Sequence, residues 1–352
     1  MVDKTPVECL KAHMTKVIDS MKPNERDVLY RQVLEIIDAK RFDDMVEGHG
    51  QALACPKCGG DSLIRYGKTA KGTQRYQCRD CGKVHAHLEC GMIMRNTKLP
   101  RETWYRFAKC FVNGCTVSQI EEECGVSRKT AWFMRTRMME AVSTLLPSFE
   151  LKSGVSAQFD EIYFRESFKG MRFSKMENPP REVRKRGESN TRGIGDELVC
   201  VLTGINDNDD IFYEVCCRGS INRDAIVATF SKCIHSGAIV NTDRHCSYSS
   251  AMSTLGSIIH KPHHSMDHAP LNRVNSIHSH LREMIDGKFR GVSTKWLPYY
   301  VGYYKWMREF SNEDSMDIAA RTIWGGDYSI RWRGMSDMKL LFRGTDNKPV
   351  KF

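Results

Sequence analysis

Two cysteine pairs with the same spacing are the strongest constraint in this sequence. Cys55-Pro-Lys-Cys58 and Cys78-Arg-Asp-Cys81 are both C-x-x-C, and nineteen residues separate them. Each pair can occupy a tight turn that directs two thiolates to one point, and two such turns complete a tetrahedral site with four sulfur ligands. Glycine follows each pair directly, where a turn of this kind needs a left-handed residue or a close backbone approach. The spacing therefore predicts a structural Zn²⁺ ion bound by these four cysteines.

Residues 50–95 are accordingly predicted to form a zinc ribbon, with a short hairpin between the cysteine pairs. Four unpaired buried thiols and a redox-active dithiol are the alternatives, and the repeated spacing argues against both. His85 and His87 lie close to the second pair. Four cysteines already complete a zinc coordination shell, so these histidines are not needed as ligands.

Composition limits the class of protein. The 352 residues are enough for two or three domains, and 53 Lys and Arg against 43 Asp and Glu give a net charge of +10. Such a charge favours a polyanionic partner, with nucleic acid as the first candidate. Fourteen cysteines and a start without an apolar signal segment indicate a reducing compartment. No apolar run reaches the length of a membrane span, so no membrane association is expected. We expect a soluble intracellular protein, in the cytoplasm or nucleoid of a bacterium, or in the nucleus of a eukaryotic host.

Two helical regions flank the ribbon. Residues 1–49 have apolar side chains at helical spacing, which predicts a packing or oligomerising region. Residues 96–147 have the spacing of a helix-turn-helix: a helix over 117–124, a turn at Gly125, and a helix capped by Ser127 that ends near residue 142. The start of this last helix would face base edges, and its next turns would contact phosphate. A helical hairpin with solvated charges is the alternative. The predicted DNA-binding residues are Arg128, Lys129, Thr130, Arg135 and Arg137.

From residue 155 the periodicity is typical of β-strands. Three predicted strands, over 155–164, 198–205 and 211–217, precede alternating helices and short strands. This order is typical of an RNase H-like α/β catalytic domain with a mixed five-stranded sheet, which we assign to residues 152–312. A C-terminal tail follows at 313–352. The fold class is therefore multidomain α+β. The basic segment 169–196 is predicted to be a solvated arm or long hairpin loop rather than a specific DNA contact.

An aromatic series near the end of the predicted catalytic domain has helical spacing. It could form a base-stacking surface, but its spacing favours a core helix packed on the sheet. The series comprises Trp296, Tyr299, Tyr300, Tyr303, Tyr304, Trp306 and Phe310.

Two carboxylates occupy corresponding places in the predicted sheet. Asp160 lies in the middle of the first strand and Asp243 ends the fourth. These strands are neighbours in an RNase H-like sheet, so both side chains can reach one point and share divalent metal ions. Oxygen ligands are what Mg²⁺ requires. Either aspartate alone would be an ordinary turn or surface residue, and the prediction of a metal site depends on both.

A series of motifs in order along the chain resembles one known family. They are the zinc ribbon, then Gly125-Val-Ser-Arg-Lys-Thr-Ala-Trp132, Phe159-Asp-Glu-Ile-Tyr-Phe164, Asn241-Thr-Asp243, Asn272-Arg-Val-Asn-Ser-Ile-His-Ser279 and Phe289-Arg-Gly-Val-Ser-Thr-Lys-Trp-Leu297. Together they are similar to the DDE-type transposases of bacterial insertion sequences that carry an N-terminal zinc ribbon, of the insertion sequence 1595 or ISXO-like type. The resemblance covers about residues 50–310.

The resemblance implies a DNA transposase with metal-dependent strand cleavage and strand transfer. Such an enzyme acts on double-stranded DNA, both the terminal repeats of its element and the target, as a homo-oligomer. Asp160 and Asp243 would be the first two catalytic acids and would bind Mg²⁺ or Mn²⁺. The third position falls on Asn275, where many relatives carry Glu. An Asn amide oxygen can still ligate Mg²⁺, although it brings no formal charge.

The helix that contains Asn275 carries further candidates. Helical geometry places Asn275, His278 and Arg282 on one face. The resemblance implies that Arg282 occupies the place of a Lys that contacts DNA near the scissile phosphate, and His278 could be a further ligand or a proton shuttle. Glu283, about 80° around the helix from Asn275, is the competing third carboxylate. In the alternative interpretation, Asn275 and His278 make only ordinary structural hydrogen bonds.

Two other functions stay open on sequence grounds. A catalytically inactive, domesticated transposase would act as a sequence-specific DNA-binding regulator, and the neutral Asn275 motivates that alternative. A structure-specific RNase H-like nuclease would hydrolyse DNA without joining ends.

Overall fold

The computed structural model describes residues 5–49, 55, 57–68, 74–86, 93–94, 97–170, 193–264, 269–311 and 313–325. Within these residues lie ten α-helices and eight β-strands, the strands forming two sheets. Most of the predicted basic arm, residues 171–192, lies outside the described residues, as do residues 326–352 of the predicted tail.

The N-terminal region is helical, as its periodicity predicted. Helix α1 (Pro6–Ser20) begins at a capping box formed by Thr5 and Glu8. Helix α2 (Pro23–His49) packs against later helices, with Phe42 buried against Tyr105 at a ring separation of 5.8 Å.

The predicted zinc ribbon has its own small sheet. Strands β1 (Leu63–Lys68), β2 (Gln74–Cys78) and β3 (Val84–Ala86) pair antiparallel in chain order. The first two strands form the hairpin predicted between the cysteine pairs.

Three helices follow the ribbon with sharply defined ends. Helix α3 (Arg101–Val112) precedes α4 (Val117–Cys124), which begins at a capping box and ends at Gly125 with φ of +62°. Glycine tolerates this left-handed conformation without the Cβ clash that other residues meet. Helix α5 (Arg128–Leu145) begins where the Ser127 hydroxyl accepts a hydrogen bond from the Thr130 amide. These bounds agree with the predicted helices, and α5 extends three residues further than expected.

The main sheet is mixed and five-stranded, as predicted. Strands β4 (Ser156–Arg165), β5 (Leu198–Asn206) and β6 (Ile211–Arg218) form an antiparallel meander. Strands β7 (Ile239–Asp243) and β8 (Ile259–His263) add in parallel on the other side of β4. The resulting order is β6-β5-β4-β7-β8, so β4 is central.

Helices cover both faces of this sheet and create two hydrophobic cores. Helices α6 (Arg223–Phe230) and α7 (Cys246–Leu255) enclose one core around Phe159 and Phe230. The other face packs against α3, α4 and α5 together with α8 (Asn272–Arg282), α9 (Leu297–Glu309) and α10 (Ser315–Gly325). A π-helical turn, Glu283–Lys288, extends the end of α8.

The second core crosses the boundaries expected from the sequence. Tyr303 on α9 donates a hydrogen bond to the carbonyl of Phe111 on α3, and the Lys305 ammonium donates to the Pro147 carbonyl at 3.0 Å. The segment 313–325, expected to belong to a C-terminal tail, instead forms α10, whose Ile318 and Ile323 are buried against α2, α3 and α5. The predicted DNA-binding helices and the main sheet therefore share one continuous interior.

The aromatic series after residue 296 lies mainly in this core. Tyr303 and Trp306 are buried and stack with an interplanar angle of 19°, and Phe111 of α3 contacts both rings. The prediction of a core helix rather than a base-stacking surface agrees with this packing.

Candidate functional site

The four cysteines converge as the spacing predicted. Their sulfur atoms all lie within 4.8 Å of one another, with Cys55 3.5 Å from Cys81 and Cys58 3.6 Å from Cys78. A tetrahedral site with Zn–S distances of about 2.3 Å has sulfur atoms about 3.8 Å apart. These separations fit a four-coordinate zinc ion.

The two cysteine turns have the same backbone hydrogen bonds. The amides of Gly59 and Gly82 donate to the carbonyls of Cys55 and Cys78, at 2.7 and 2.9 Å. Both glycines have positive φ, as the turns require. Although burial acts in the opposite direction, hydrogen bonds from the backbone around Lys57 lower the pKa of Cys55 to about 6.

His85 lies at the edge of the cysteine cluster. Its Nε2 is 3.5 Å from the sulfur of Cys55. The cysteines supply four ligands without it, so the imidazole is a neighbour of the site. His87 lies outside the described residues.

Asp160 and Asp243 lie at one level on adjacent strands. Gln158 on β4 is in register with Asn241 on β7, and each aspartate lies two residues beyond this pair on its own parallel strand. Because side chains alternate along a strand, both carboxylates are on the face covered by α8. Burial, and next the charge of Asp243, raise the pKa of Asp160, although the hydrogen bond from the Glu161 amide opposes this.

His278 approaches Asp160 from above the sheet. Its Nδ1 is 3.8 Å from the Asp160 carboxylate, and its Nε2 is 2.6 Å from the hydroxyl of Thr203 on β5. The Thr203 hydroxyl donates its proton to the Asp160 carbonyl, so it accepts from Nε2–H of the imidazole. Burial, with a smaller contribution from Arg282, lowers the pKa of His278 to about 4. The ring is therefore neutral at pH 7, with an unprotonated Nδ1 facing Asp160.

Glu161 is a further acidic group beside the pair. Burial, followed by the charge of Asp160, raises the pKa of Glu161 to about 8. The carboxyl of Glu161 therefore holds its proton to a higher pH than a free glutamate does. Sequence reasoning passed over Glu161, although its position directly after a predicted catalytic aspartate was a visible signal.

Helix α8 is fixed over the acidic pair by residues of the sheet. The side-chain oxygen of Gln158 accepts hydrogen bonds from the backbone amides of Arg273 and Val274, at 3.1 and 3.2 Å, and so satisfies two amides of the first turn. Val274, Ile277 and Leu281 are buried against the sheet. Gln158 and Thr203 were missed in the sequence; the signal for Thr203 was a polar residue on the otherwise apolar face of β5.

The remaining candidates of α8 lie on its exposed flank. Asn275 and Arg282 are exposed, within about 60° of His278 around the helix axis at 100° per residue. Glu283 is also exposed and begins the π-helical turn, further around the helix from His278 than Asn275 is. The flank carrying Asn275 therefore adjoins the residue that contacts Asp160, whereas Glu283 points further away.

Four of the five predicted DNA-binding residues are exposed or partly exposed. Lys129 is exposed, and Arg128 is exposed but paired with Glu121 at 2.8 Å, while Thr130 joins the N-terminal cap of α5. Arg137 is half-buried, with its guanidinium 5.2 Å from the ring of Phe133.

Arg135 is not on the open surface. Its side chain is 3% exposed, and the guanidinium donates to the Tyr300 hydroxyl at 2.9 Å and lies 4.1 Å from the ring centre of Phe289. Arg135 also lines a cavity beside α5.

Two segments of the sequence match known families. Residues 175–309 match the ISXO2-like transposase domain, and residues 52–82 match the zinc-ribbon InsA N-terminal domain. Residues 175–309 are thus similar to an ISXO2-like transposase domain. The resemblance to zinc-ribbon insertion-sequence transposases is thereby confirmed. The matched transposase segment includes Asp243 and helix α8, whereas Asp160 lies fifteen residues before it.

One curated relative comes from a mobile element. The chain is 28% identical over 142 residues to an uncharacterized protein in transposable element ISH50 of Halobacterium salinarum. The aligned region covers 40% of this chain and 44% of the relative, so the chain spans less than half the length of that protein.

Solved structures of the Mos1 system are distantly similar to this chain. A pre-cleavage Mos1 transpososome has 13% identity and a TM-score of 0.25, covering 63% of this chain and 79% of that chain. The Mos1 mariner paired end complex with Mn has 14% identity and a TM-score of 0.23, with the same coverage.

Membrane insertion through a helix finds no support in the described part of the chain. None of its helices combines the length and the apolar character that crossing a bilayer requires.

Proposed function

We propose that this protein is a DNA transposase that binds the ends of a mobile element and catalyses metal-dependent strand cleavage and strand transfer. The proposal depends mainly on one observation: Asp160 and Asp243 lie at the same level, on one face of adjacent parallel strands. Helix α8 covers this face and lies in the segment that matches the ISXO2-like transposase domain. Two strands of an RNase H-like sheet would present acids in this way.

The acidic pair fits divalent cations. Asp160 and Asp243 offer hard oxygen ligands, and the charge of one raises the pKa of the other, so the pair is stabilised by a cation that both can bind. Asn275 would add a neutral oxygen from the adjacent flank of α8. When bound, Mg²⁺ or Mn²⁺ would stabilise the attacking and leaving oxygens of an in-line displacement at phosphorus.

The surrounding residues would position the DNA and handle protons. Thr203 holds His278 in the tautomer that leaves Nδ1 able to accept a proton beside Asp160. Arg282, exposed on the same flank of α8, would contact the DNA backbone near the scissile phosphate.

Recognition of the element ends would fall to the ribbon and to α4 and α5 acting as a helix-turn-helix. The turn at Gly125 and the capped start of α5 support this assignment, since a recognition helix presents its first residues to the groove. The exposed Lys129 and the net charge of +10 suit a DNA partner.

Assembly on DNA as a homo-oligomer is part of the proposal. Helices α1 and α2 expose several apolar side chains, including Val7, Leu10 and Ile36, the last of which is 68% exposed. Apolar faces of this kind are typical of protein interfaces.

An intracellular location is supported by the cysteines: none of those described forms a disulfide.

The decisive experiment is a gel-resolved cleavage and joining assay. Purified protein with Mg²⁺ or Mn²⁺ is expected to nick DNA at the terminal repeats of its element and to join the ends to target DNA. Asp160→Asn and Asp243→Asn should each abolish both products while DNA binding persists. The control is Asp224→Asn, an exposed aspartate on α6 across the sheet. Full activity in both active-site variants would contradict the proposal.

Asn275 favours one alternative, a catalytically inactive regulator that binds DNA by sequence. If the parent protein is inert and Asn275→Glu restores cleavage, the copy is a decayed enzyme. Cleavage without joined products would instead identify a structure-specific nuclease.

A further inference from the structure

A cavity of about 650 Å³ lies between the predicted recognition helix and the loop after α8. The start of α4 and one side of α5 form one wall, and residues 288–296 form the other. Cavities that bind small organic groups in proteins have volumes of about 300–1,000 Å³. The cavity is separate from the acidic pair, none of whose residues lines it.

The described lining of this cavity is strongly basic. It includes five cationic side chains and no carboxylate: Arg128, Arg135, Lys169, Lys288 and Arg290. Arg128 is neutralised by Glu121. Burial, and after it the charges of Arg135 and Arg290, lower the pKa of Lys169.

Three of the remaining cations contact only uncharged groups in the described structure. Lys169 donates to the carbonyls of residues 289–291, at 2.8–3.3 Å, and Lys288 donates to the Asn113 carbonyl. Arg135 lies between Tyr300 and the ring of Phe289. Because these contacts leave the positive charge uncompensated, the cavity favours an anion.

The same wall contains a buried hydroxyl group that makes no hydrogen bond within the described residues. Ser293 is 4% exposed, and its Oγ has no hydrogen-bond partner among the described residues. Buried polar groups are almost always paired, so an isolated one that lines a cavity indicates a ligand or solvent that enters it.

Aromatic rings complete the lining. Trp132 of α5 packs edge-to-face on Trp296, with ring centres 5.7 Å apart and an angle of 81°. Trp296 is buried, while Trp132 is partly exposed and belongs to the cavity wall. A partly exposed indole beside several cations can stack on a base while the cations bind the attached phosphate.

We propose that this cavity binds an unpaired nucleotide of a DNA strand, with its phosphate at Arg135, Lys169 and Arg290 and its base against Trp132. The inference rests on the proposed function, because the cavity opens beside the helix assigned to DNA recognition. A duplex is too wide to enter it, so a nucleotide that occupies it has left the base stack. The Ser293 hydroxyl supplies a hydrogen bond to the nucleotide.

The test compares two labelled DNA probes with the full-length protein. One is a duplex with a single-stranded dT overhang, and the other is a blunt duplex with the same number of phosphates. The wild type is expected to bind the overhang probe at least about fivefold more tightly, since stacking of one base on an aromatic ring contributes on that order. Two unlabelled competitors, the overhang strand and dTMP, are added at the same concentrations. dTMP is the free-nucleotide competitor.

Three variants assign any preference to the cavity. Ser293→Ala should reduce the preference about threefold without altering the fold, because its hydroxyl has no internal partner. Trp132→Leu should remove most of it. Arg290→Gly, which suits the positive φ of that residue, should lower the salt dependence for the overhang probe by about 0.7 in log–log slope. Arg223→Ala on α6, across the sheet, is the matched loss of one positive charge and should leave the preference intact.

Each outcome supports or overturns the inference. Equal binding of both probes by the wild type overturns the cavity assignment and leaves the proposed function standing. Binding of neither probe contradicts both proposals. Displacement by dTMP as effective as that by the overhang strand would make the cavity a free-nucleotide site and overturn the assignment to DNA. A preference that survives Ser293→Ala and Trp132→Leu, or that Arg223→Ala reduces equally, places the unpaired strand elsewhere.

Discussion

Nδ1 of His278 lies 3.8 Å from the Asp160 carboxylate, on the sheet face that α8 covers. The arrangement depends on Thr203, whose hydroxyl connects the backbone of Asp160 to the other nitrogen of the same imidazole. One aspartate is thus linked to α8 through both its side chain and its carbonyl. The orientation of His278 is set by the sheet and not by α8 alone.

Thr203→Val should lower the rate of DNA cleavage about tenfold, because Nε2–H of His278 would lose its acceptor and the ring its orientation. Thr203→Ser, which keeps the hydroxyl, should restore most of the rate. The measurement is single-turnover cleavage with DNA affinity determined in parallel. A merely structural role predicts equal losses in both variants, or a loss of affinity in place of rate.

Asn275→Asp should lower the Mg²⁺ concentration needed for half-maximal cleavage, since a third carboxylate adds negative charge to the ligand set. Glu283→Gln should leave this concentration unchanged, because Glu283 lies further around α8 from His278. Metal titrations of the cleavage rate distinguish the two positions. The opposite pattern would make Glu283 the third acid.

Cys58→Ser should release zinc and weaken DNA binding, because three thiolates cannot complete the tetrahedral shell. The main sheet should remain folded, since its two cores contain none of the four cysteines. Zinc content by mass spectrometry and DNA affinity are measured together. Cys246→Ser, an exposed cysteine outside the quartet, is the control and should retain both.

Glu161→Gln should flatten the pH dependence of the unfolding free energy between pH 4.5 and about 8. The pKa of Glu161 is raised to about 8 in the folded protein, so the native state holds a proton that the unfolded chain releases above its ordinary pKa near 4.5. Stability from this group is complete below pH 4.5 and is lost as the pH rises to about 8, by on the order of 5 kcal/mol at 1.4 kcal/mol per pKa unit. Denaturant titrations without added divalent cations measure it, and parallel curves for both proteins would refute the assignment.

Gly204→Ala should destabilise the fold by about 1–3 kcal/mol, the usual cost of overpacking a core. A Cβ at this position would lie 2.5 Å from the ring of Phe159, which is held on its other sides by Phe149, Phe212 and Phe230. Gly287→Ala is the control, because a Cβ there meets no atom within 4 Å. Denaturant unfolding of both variants decides the matter; equal stability would show that β4 can shift.

Local signals in the sequence predicted the elements accurately. Gly125 and Ser127 mark the ends of α4 and α5 because left-handed geometry and N-terminal capping act within a few residues. The zinc ribbon could be predicted in the same way, because each C-x-x-C turn fixes the positions of its own two cysteines. Strand periodicity placed Asp160 and Asp243 on neighbouring strands, and these positions led to their prediction as a metal-binding pair.

Contacts between distant parts of the chain were not predictable in this way. The burial of Arg135 depends on Tyr300, 165 residues away, and α10 became a core helix only because α2, α3 and α5 offer it an apolar surface. The link from Thr203 to His278 spans 75 residues and joins two polar side chains that the sequence shows as isolated.

The four predicted zinc ligands, the capped helices and the two aspartates on strands could be read from the amino-acid sequence, because spacing, capping and alternation are properties of short segments. The folded chain was needed to show which uncharged residues orient the acidic pair, which cations lie around a shared cavity, and where one core ends. Those features arise when segments far apart in the chain bury each other, and the free energy of that burial depends on the partner surface as much as on the residue itself.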